Sequence, residues 1–309
     1  MQQQRRRRET QSGERQSLVP FGLLGALLLP LLVMSCARAP ASDTVTGLRI
    51  ISTAPSVTQL VYALGAEQQL VGVTSYCDYP PAARSKPRIG SFASPSVEAI
   101  LAQRPDLVLI LADRQDLSTR LGGLGFEVQM LDVRDLDAVL ESTQQLADRL
   151  GRTEEGRGLV RRLTADVAAH RAAAADRPRR TVLVLVGRNP GGVTDLYAVG
   201  SRSYLADLVN AAGGESIFAD SPILYPKVSI EEILVRDPEI ILDLSQMGEE
   251  ATPEHLATIA GLWQEYSSLQ AVRNGRVFVL TDDVFLVPGP RLGEALQRLS
   301  AVFEGLDID

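Results

Sequence analysis

Cysteine and histidine are nearly absent from this 309-residue chain. With only Cys36 and Cys77 present, a disulfide framework is excluded, because such frameworks need several pairable thiols. A histidine-based zinc site is disfavoured by the presence of just His170 and His255, both in helical stretches where surface or capping roles are expected. Catalytic signatures are missing as well: there is no G-x-S-x-G, no G-x-x-x-x-G-K-[ST], no G-x-G-x-x-G after a strand and no H-E-x-x-H. A catalytic reading therefore finds no nucleophile with its base, no metal cluster and no phosphate loop. Nor is there a basic patch for nucleic acid, since 38 acidic residues face 31 basic ones and several of those arginines stand at the extreme amino terminus. Cys77, left alone, is expected to be a small core residue.

What is present begins with the basic cluster Arg5 to Arg8, followed by an apolar run from Leu18 to Met34 that ends in Ser35-Cys36. That order reads as a secretion signal. The run is barely long enough to span a membrane and is broken by Pro20, Gly22, Gly25 and Pro30, so cleavage is expected rather than retention. Glu9 and Thr10 do not continue a twin-arginine signal, which leaves ordinary secretion. Val33-Met34-Ser35-Cys36 resembles a bacterial lipobox, with Met34 in place of the usual small residue; the resemblance implies that Cys36 is lipidated and becomes the first residue. Residues 37–47, rich in alanine, proline, serine and threonine, read as a flexible leash. The expected location is extracytoplasmic, in the periplasm or on the outer cell surface, with an amino-terminal lipid as the only membrane attachment.

From Leu48 onward short apolar runs alternate with helical patterns, which predicts α/β lobes with mostly parallel sheets covered on both faces. Strands are expected near residues 48–52, 70–74, 107–111 and 128–131, then near 181–186, 240–244 and 277–281. The first helix is placed at 57–64, with Ser56 and Gln59 as a capping box and Gly65 as the stop. One segment recurs almost residue for residue: Ser96 to Leu109 reads S-V-E-A-I-L-A-Q-R-P-D-L-V-L, and Ser229 to Leu242 reads S-I-E-E-I-L-V-R-D-P-E-I-I-L. Each is a helix, a proline stop and a buried strand, so two lobes share one plan. Between them the stretch 152–176, with Leu159, Leu163 and Val167 at helical spacing and Pro178 beyond it, predicts one long helix. The expected organisation is a signal over 1–36, the leash over 37–47, an amino-terminal lobe over 48–151, a linking helix over 152–178 and a carboxy-terminal lobe over 179–309. A helical link limits the opening and closing that a flexible hinge permits.

The opening Ile50 to Gln59, the segment Tyr76-Cys-Asp-Tyr-Pro-Pro81, the paired Ser-x-Glu helices and Pro288-Gly-Pro-Arg291 together resemble the extracytoplasmic receptors through which ABC importers take up cobalamin, haem and ferric siderophores. The resemblance runs from Leu48 to Phe303. It implies two Rossmann-like lobes joined by one long helix, a ligand held in the cleft between them and a permease dimer as partner; nothing in the sequence demands self-association, so a monomer is expected, and the missing catalytic motifs leave no enzyme activity to expect. Tyr76 to Pro81 and Tyr225-Pro-Lys-Val-Ser229 are most similar to the cobalamin receptor, and that similarity implies that Tyr79, Tyr225 and Phe92 flank the ligand. The chemistry suits such a guest, because rigid aromatics cover a broad apolar ring at low entropic cost. Two positions that are aromatic in that receptor are aliphatic here, near Leu111 and Val186.

Polar contacts are expected from loops at the carboxyl ends of the strands, namely Ser56, Asp113, Arg114, Arg188, Asn189 and Asp283, with Arg291 at the start of the last helix. Amide-bearing cobalamin suits neutral or charged partners, whereas haem or a ferric siderophore favours the arginines and offers Tyr76, Tyr79 or Tyr225 as a phenolate ligand. Glu98 and Glu231 hold the same place in the two repeats, and the resemblance implies that each docks on one transporter subunit. Their bland alternative is helix-dipole complementation, worth about 0.3–1 kcal/mol. An enzyme or an adhesin on the same scaffold is the reading of a different class.

Overall fold

Helix α5 (Thr153–Ala174) divides the chain, with four strands before it and six after among the described residues. The structure, a computed structural model, describes residues 47–245 and 252–305; the signal, Cys36 and the leash up to residue 46 lie outside them. Ahead of α5 come β1 (Ile50–Ser52), α1 (Pro55–Ala63), β2 (Leu70–Val73), α2 (Val97–Gln103), β3 (Leu107–Leu111), α3 (Gln115–Gly123), β4 (Val128–Leu131) and α4 (Leu136–Arg149). Their strands form a sheet in the order β2-β1-β3-β4, parallel at every pairing. Beyond α5 come β5 (Arg180–Gly187), β6 (Leu196–Ala198), α6 (Tyr204–Ala211), β7 (Gly214–Ser216), β8 (Lys227–Val228), α7 (Ile230–Arg236), β9 (Ile240–Asp243), α8 (Pro253–Leu262), α9 (Gln270–Arg273), β10 (Val277–Val279) and α10 (Leu292–Glu304). Here the order is β10-β9-β5-β6-β8 with β7 also on β5; β5, β7, β9 and β10 run parallel, and β6 and β8 are antiparallel additions.

The central strands are buried on both faces, and alternate side chains enter different cores. In β3, Leu107 and Leu109 face the core that also holds α4 and α5, while Val108 and Ile110 face one closed by Ile100 of α2 and Leu121 of α3. β5 repeats this: Val182 and Val184 join the first core, and Leu183 and Leu185 pack with Trp263 and Ile233. The first core is continuous between the lobes, because Leu146 of α4, Leu159 and Leu163 of α5, Leu208 of α6 and Leu299 of α10 belong to it together. Hydrogen bonds cross the same seam. The carboxylate of Asp207 in α6 accepts from the Leu136 amide that opens α4, at 3.0 Å, and the Tyr204 amide donates to the Arg134 carbonyl. Burial first, and then Asp135 and Asp137, push the Asp207 carboxyl above its ordinary range against the pull of Leu136 and Arg171.

The repeated segment folds alike in both lobes. Ser96 caps α2 by accepting from the Ala99 amide, and Ser229 caps α7 by accepting from the Glu232 amide. Both helices stop at a non-glycine residue in the left-handed region, Arg104 (φ 46°) and Asp237 (φ 42°), each followed by proline. One expected cap is corrected: α1 begins at Pro55 with Ala54 as its N-cap residue, so Ser56 already lies inside the helix and forms no capping box with Gln59. Proline at the first helical position, where no N–H is needed, sets that start. Gly65 does stop the helix, at φ 67°. The strands absent from the sequence reading are β6, β7 and β8, all two or three residues long and without a continuous apolar run.

Candidate ligand-binding cleft

At the carboxyl ends of the strands the two lobes face one another across a hollow of about 390 Å³ lined by Ser56, Tyr76, Phe92 and Leu111 of the first lobe and Leu286 to Pro288 of the second. Its lining is predominantly apolar, the character expected of a small-molecule site. A second, polar hollow of about 500 Å³ adjoins it at Ala93 and is lined by Asp113, Arg114, Gln115 and Arg120.

Tyr79 stands beside the cleft on the loop after β2. Its ring lies under the Arg291 guanidinium, 4.0 Å from Cζ to centroid, in the geometry of a cation–π contact. Arg291, at the start of α10, donates from Nε to Gln59 Oε1 at 3.2 Å and from Nη2 to Asp283 Oδ1. One arginine of the second lobe therefore grips a glutamine and a tyrosine of the first, and Asp283 holds that arginine in place. The Tyr79 loop is pinned from beneath by Arg88, whose Nη1 donates to the carbonyls of Thr74 (2.7 Å) and Cys77 (3.2 Å) and whose Nη2 meets Asp78 Oδ1 at 3.0 Å. Cys77 is buried there, its Sγ 3.1 Å from the hydroxyls of both Thr58 and Thr74.

Phe92 is partly buried and packs on the first core, with Arg114 above its ring at 5.3 Å. Arg114 also donates to the Phe92 and Ala93 carbonyls, each at 2.8 Å, and so fixes the loop that carries the phenyl group. Tyr225 lies on the second lobe, half-exposed. Burial raises its phenol above the ordinary value, and the negative charge of Asp113 of the first lobe adds to the shift.

Of the expected residues, Ser56 and Phe92 line the apolar hollow and Arg114 lines the polar one, while Tyr79, Asp283 and Arg291 form one contact group with Gln59 and Tyr225 stands half-exposed on the second lobe. The structure does not bring Arg188 to either hollow. That expectation is corrected: Arg188 Nε donates to Asp243 Oδ2 at 2.8 Å with both side chains 0 % exposed, and Nη1 turns to the carbonyls of Asn189, Pro190 and Gly192. Asp243 is further held by Trp263 Nε1 and the Ser245 amide. Buried charge needs such pairing, and a residue committed to it cannot meet a cleft ligand. Glu98 and Glu231 lie away from the hollow, exposed on α2 and α7. Sequence reasoning missed Gln59, Arg88 and Leu286 to Pro288 as parts of the cleft. The motifs Ile50 to Gln59 and Pro288 to Arg291 contain Gln59 and Pro288, whose contacts they do not specify; Arg88 acts through loop carbonyls, and Leu286 and Val287 through packing.

Residues 50–284 match the family described as periplasmic binding protein. A vitamin B12-binding protein of Salmonella typhi is 33 % identical over 233 residues, covering 74 % of this chain and 81 % of that protein. Among solved structures, the periplasmic vitamin B12 binding protein of Vibrio cholerae superposes with a TM-score of 0.71 at 27 % identity, over 83 % of this chain and 96 % of the other. A periplasmic heme-binding protein from Roseiflexus sp. RS-1 superposes equally well, with a TM-score of 0.71 and 27 % identity over 84 % and 98 % of the two chains.

Proposed function

The chain belongs to the periplasmic binding protein family, and from that premise we propose that it captures cobalamin or a related corrinoid between its lobes and delivers it to the permease of an ABC importer. As a substrate-binding protein it is an extracytoplasmic carrier and not an enzyme. In the proposed arrangement Cys36 carries the lipid anchor, residues 37–47 form the leash, and the lobes at 48–151 and 179–309 hold the ligand as a monomer on either side of the linking helix.

The observation that carries the ligand assignment is the apolar hollow lined by Tyr76, Phe92, Leu111 and Leu286, near which the arginines already serve the protein. Arg114 holds two loop carbonyls and Arg291 joins Gln59, Tyr79 and Asp283. A guest with a broad apolar face and neutral amide arms fits that lining better than one bearing several free carboxylates, which would ask those guanidiniums to change partners. The vitamin B12-binding relatives support the same choice.

Haem is the second reading, favoured by the heme-binding structural neighbours and by the well-exposed Tyr76 at the hollow, a possible phenolate ligand. Tyr225 suits that role poorly, since burial and Asp113 both disfavour its phenolate. Absorbance titration of the purified, unlipidated protein with cobalamin and with haem separates the two. Saturable cobalamin binding is expected, weakened roughly ten- to a hundredfold by Tyr79→Ala or Tyr225→Ala, the range of an aromatic hot spot. Tight haem binding without corrinoid binding overturns the proposal.

Docking on the permease is assigned to Glu98 and Glu231, one per lobe. A matched pair of carboxylates suits a two-fold partner with basic residues on each half.

A further inference from the structure

We propose that the exposed faces of α2 and α7 form a pair of matched apolar and acidic footprints for a two-fold membrane partner, with Leu101 and Leu234 as the apolar contacts. The inference rests on the reading of the chain as an importer's receptor, and it adds to the two carboxylates a component that charge alone does not supply.

The repeat aligns Glu98 with Glu231, Leu101 with Leu234 and Ala102 with Val235. A capping serine, one buried anchor (Ile100 or Ile233) and a left-handed stop fix both helices in the same rotation. Residues three apart share a helix face, so each glutamate lies beside its leucine. Leu101 is 49 % exposed, Leu234 is 37 % and Val235 is 86 %. A single exposed leucine needs no explanation. The same leucine left bare in both lobes, next to the same carboxylate, does, because the copies differ around it: Ala99 against Glu232 and Gln103 against Arg236. Each helix leads directly into a parallel strand, α2 into β3 and α7 into β9, so both helices begin on the side of their lobe where the strands end. The partner that fits carries, on each of two equivalent subunits, a cation for the glutamate and an apolar socket beside it for the leucine.

The two footprints are unequal in detail. Glu98 is held below the ordinary carboxylate range by its own amide, by the Ser96 hydroxyl at 2.9 Å and by Arg120. In α7 it is Glu232, not Glu231, that closes the reciprocal cap with Ser229. Val235 stands where α2 has Ala102, so the second lobe carries the larger apolar share.

The test is cobalamin uptake by the source strain, deleted for the native gene and complemented with full-length variants, beside cobalamin affinity and thermal unfolding of each purified variant. The double variant Leu101→Ser with Leu234→Ser is expected to keep wild-type affinity and to lower uptake at limiting receptor roughly three- to tenfold. Leu101→Gln with Leu234→Gln, which keeps helix propensity, should do the same. If both leucine pairs transport like the wild type while Glu98→Ala with Glu231→Ala blocks uptake, the apolar footprint is refuted and the docking reading stands. Wild-type uptake by the glutamate pair as well refutes docking through these helices altogether.

Discussion

Arg188 and Arg291 show how differently two loop arginines behave at the carboxyl ends of the same sheet. Arg291 is partly exposed and joins the lobes through Gln59 and Tyr79, whereas Arg188 points inward and meets Asp243 in a fully buried pair. The sequence presents both as polar candidates for the cleft, because it does not encode which way a side chain turns at the end of a strand. Removing one member of a buried pair strands the other charge, so Arg188→Met should destabilise the protein by about 3–5 kcal/mol in urea unfolding. Cobalamin affinity of the folded fraction should be unchanged. A loss of affinity without loss of stability would return Arg188 to the ligand.

At the level of elements, the loop carrying Tyr225 is shaped by a close backbone approach. Gly200 follows β6, its amide donates to the Leu224 carbonyl at 2.9 Å, and Ser201 Oγ donates to the Ser221 carbonyl at 2.8 Å. A Cβ on Gly200 would lie 1.9 Å from the Ile223 carbonyl oxygen and 3.1 Å from that of Ser221. Gly200→Ala is therefore expected to push the 221–225 loop outward, costing about 1–3 kcal/mol of stability and displacing Tyr225. Cobalamin affinity should fall at least about tenfold by titration. Gly192→Ala, where no atom lies within 4 Å of the added Cβ, is the neutral control. The paired α2–β3 and α7–β9 units were readable beforehand because capping serine, apolar period and proline stop all act locally. β6, β7 and β8 were not, since strands so short exist only through the neighbours that pair with them.

At the scale of the whole molecule, the described residues form two sheets that share a core. Side chains from α4, α5, α6 and α10 form one continuous apolar body reaching both lobes, and the Asp207–Leu136 and Arg291–Gln59 bonds cross the same divide. Lobes joined in this way should unfold together: calorimetry is expected to give one transition with equal calorimetric and van't Hoff enthalpies, and two separate transitions would mean that the shared core does not couple them. By itself the sequence determined the alternation of strands and helices, the duplication and the long linking helix, because periodicity, caps and proline stops are written in neighbouring residues. Only the tertiary structure decided which loop residues meet across the cleft, that Arg188 is withdrawn from it, and that Arg88, Gln59 and Gly200 hold its walls. Those outcomes depend on where distant backbone carbonyls and side chains arrive once two sheets are packed, and no local pattern carries that information.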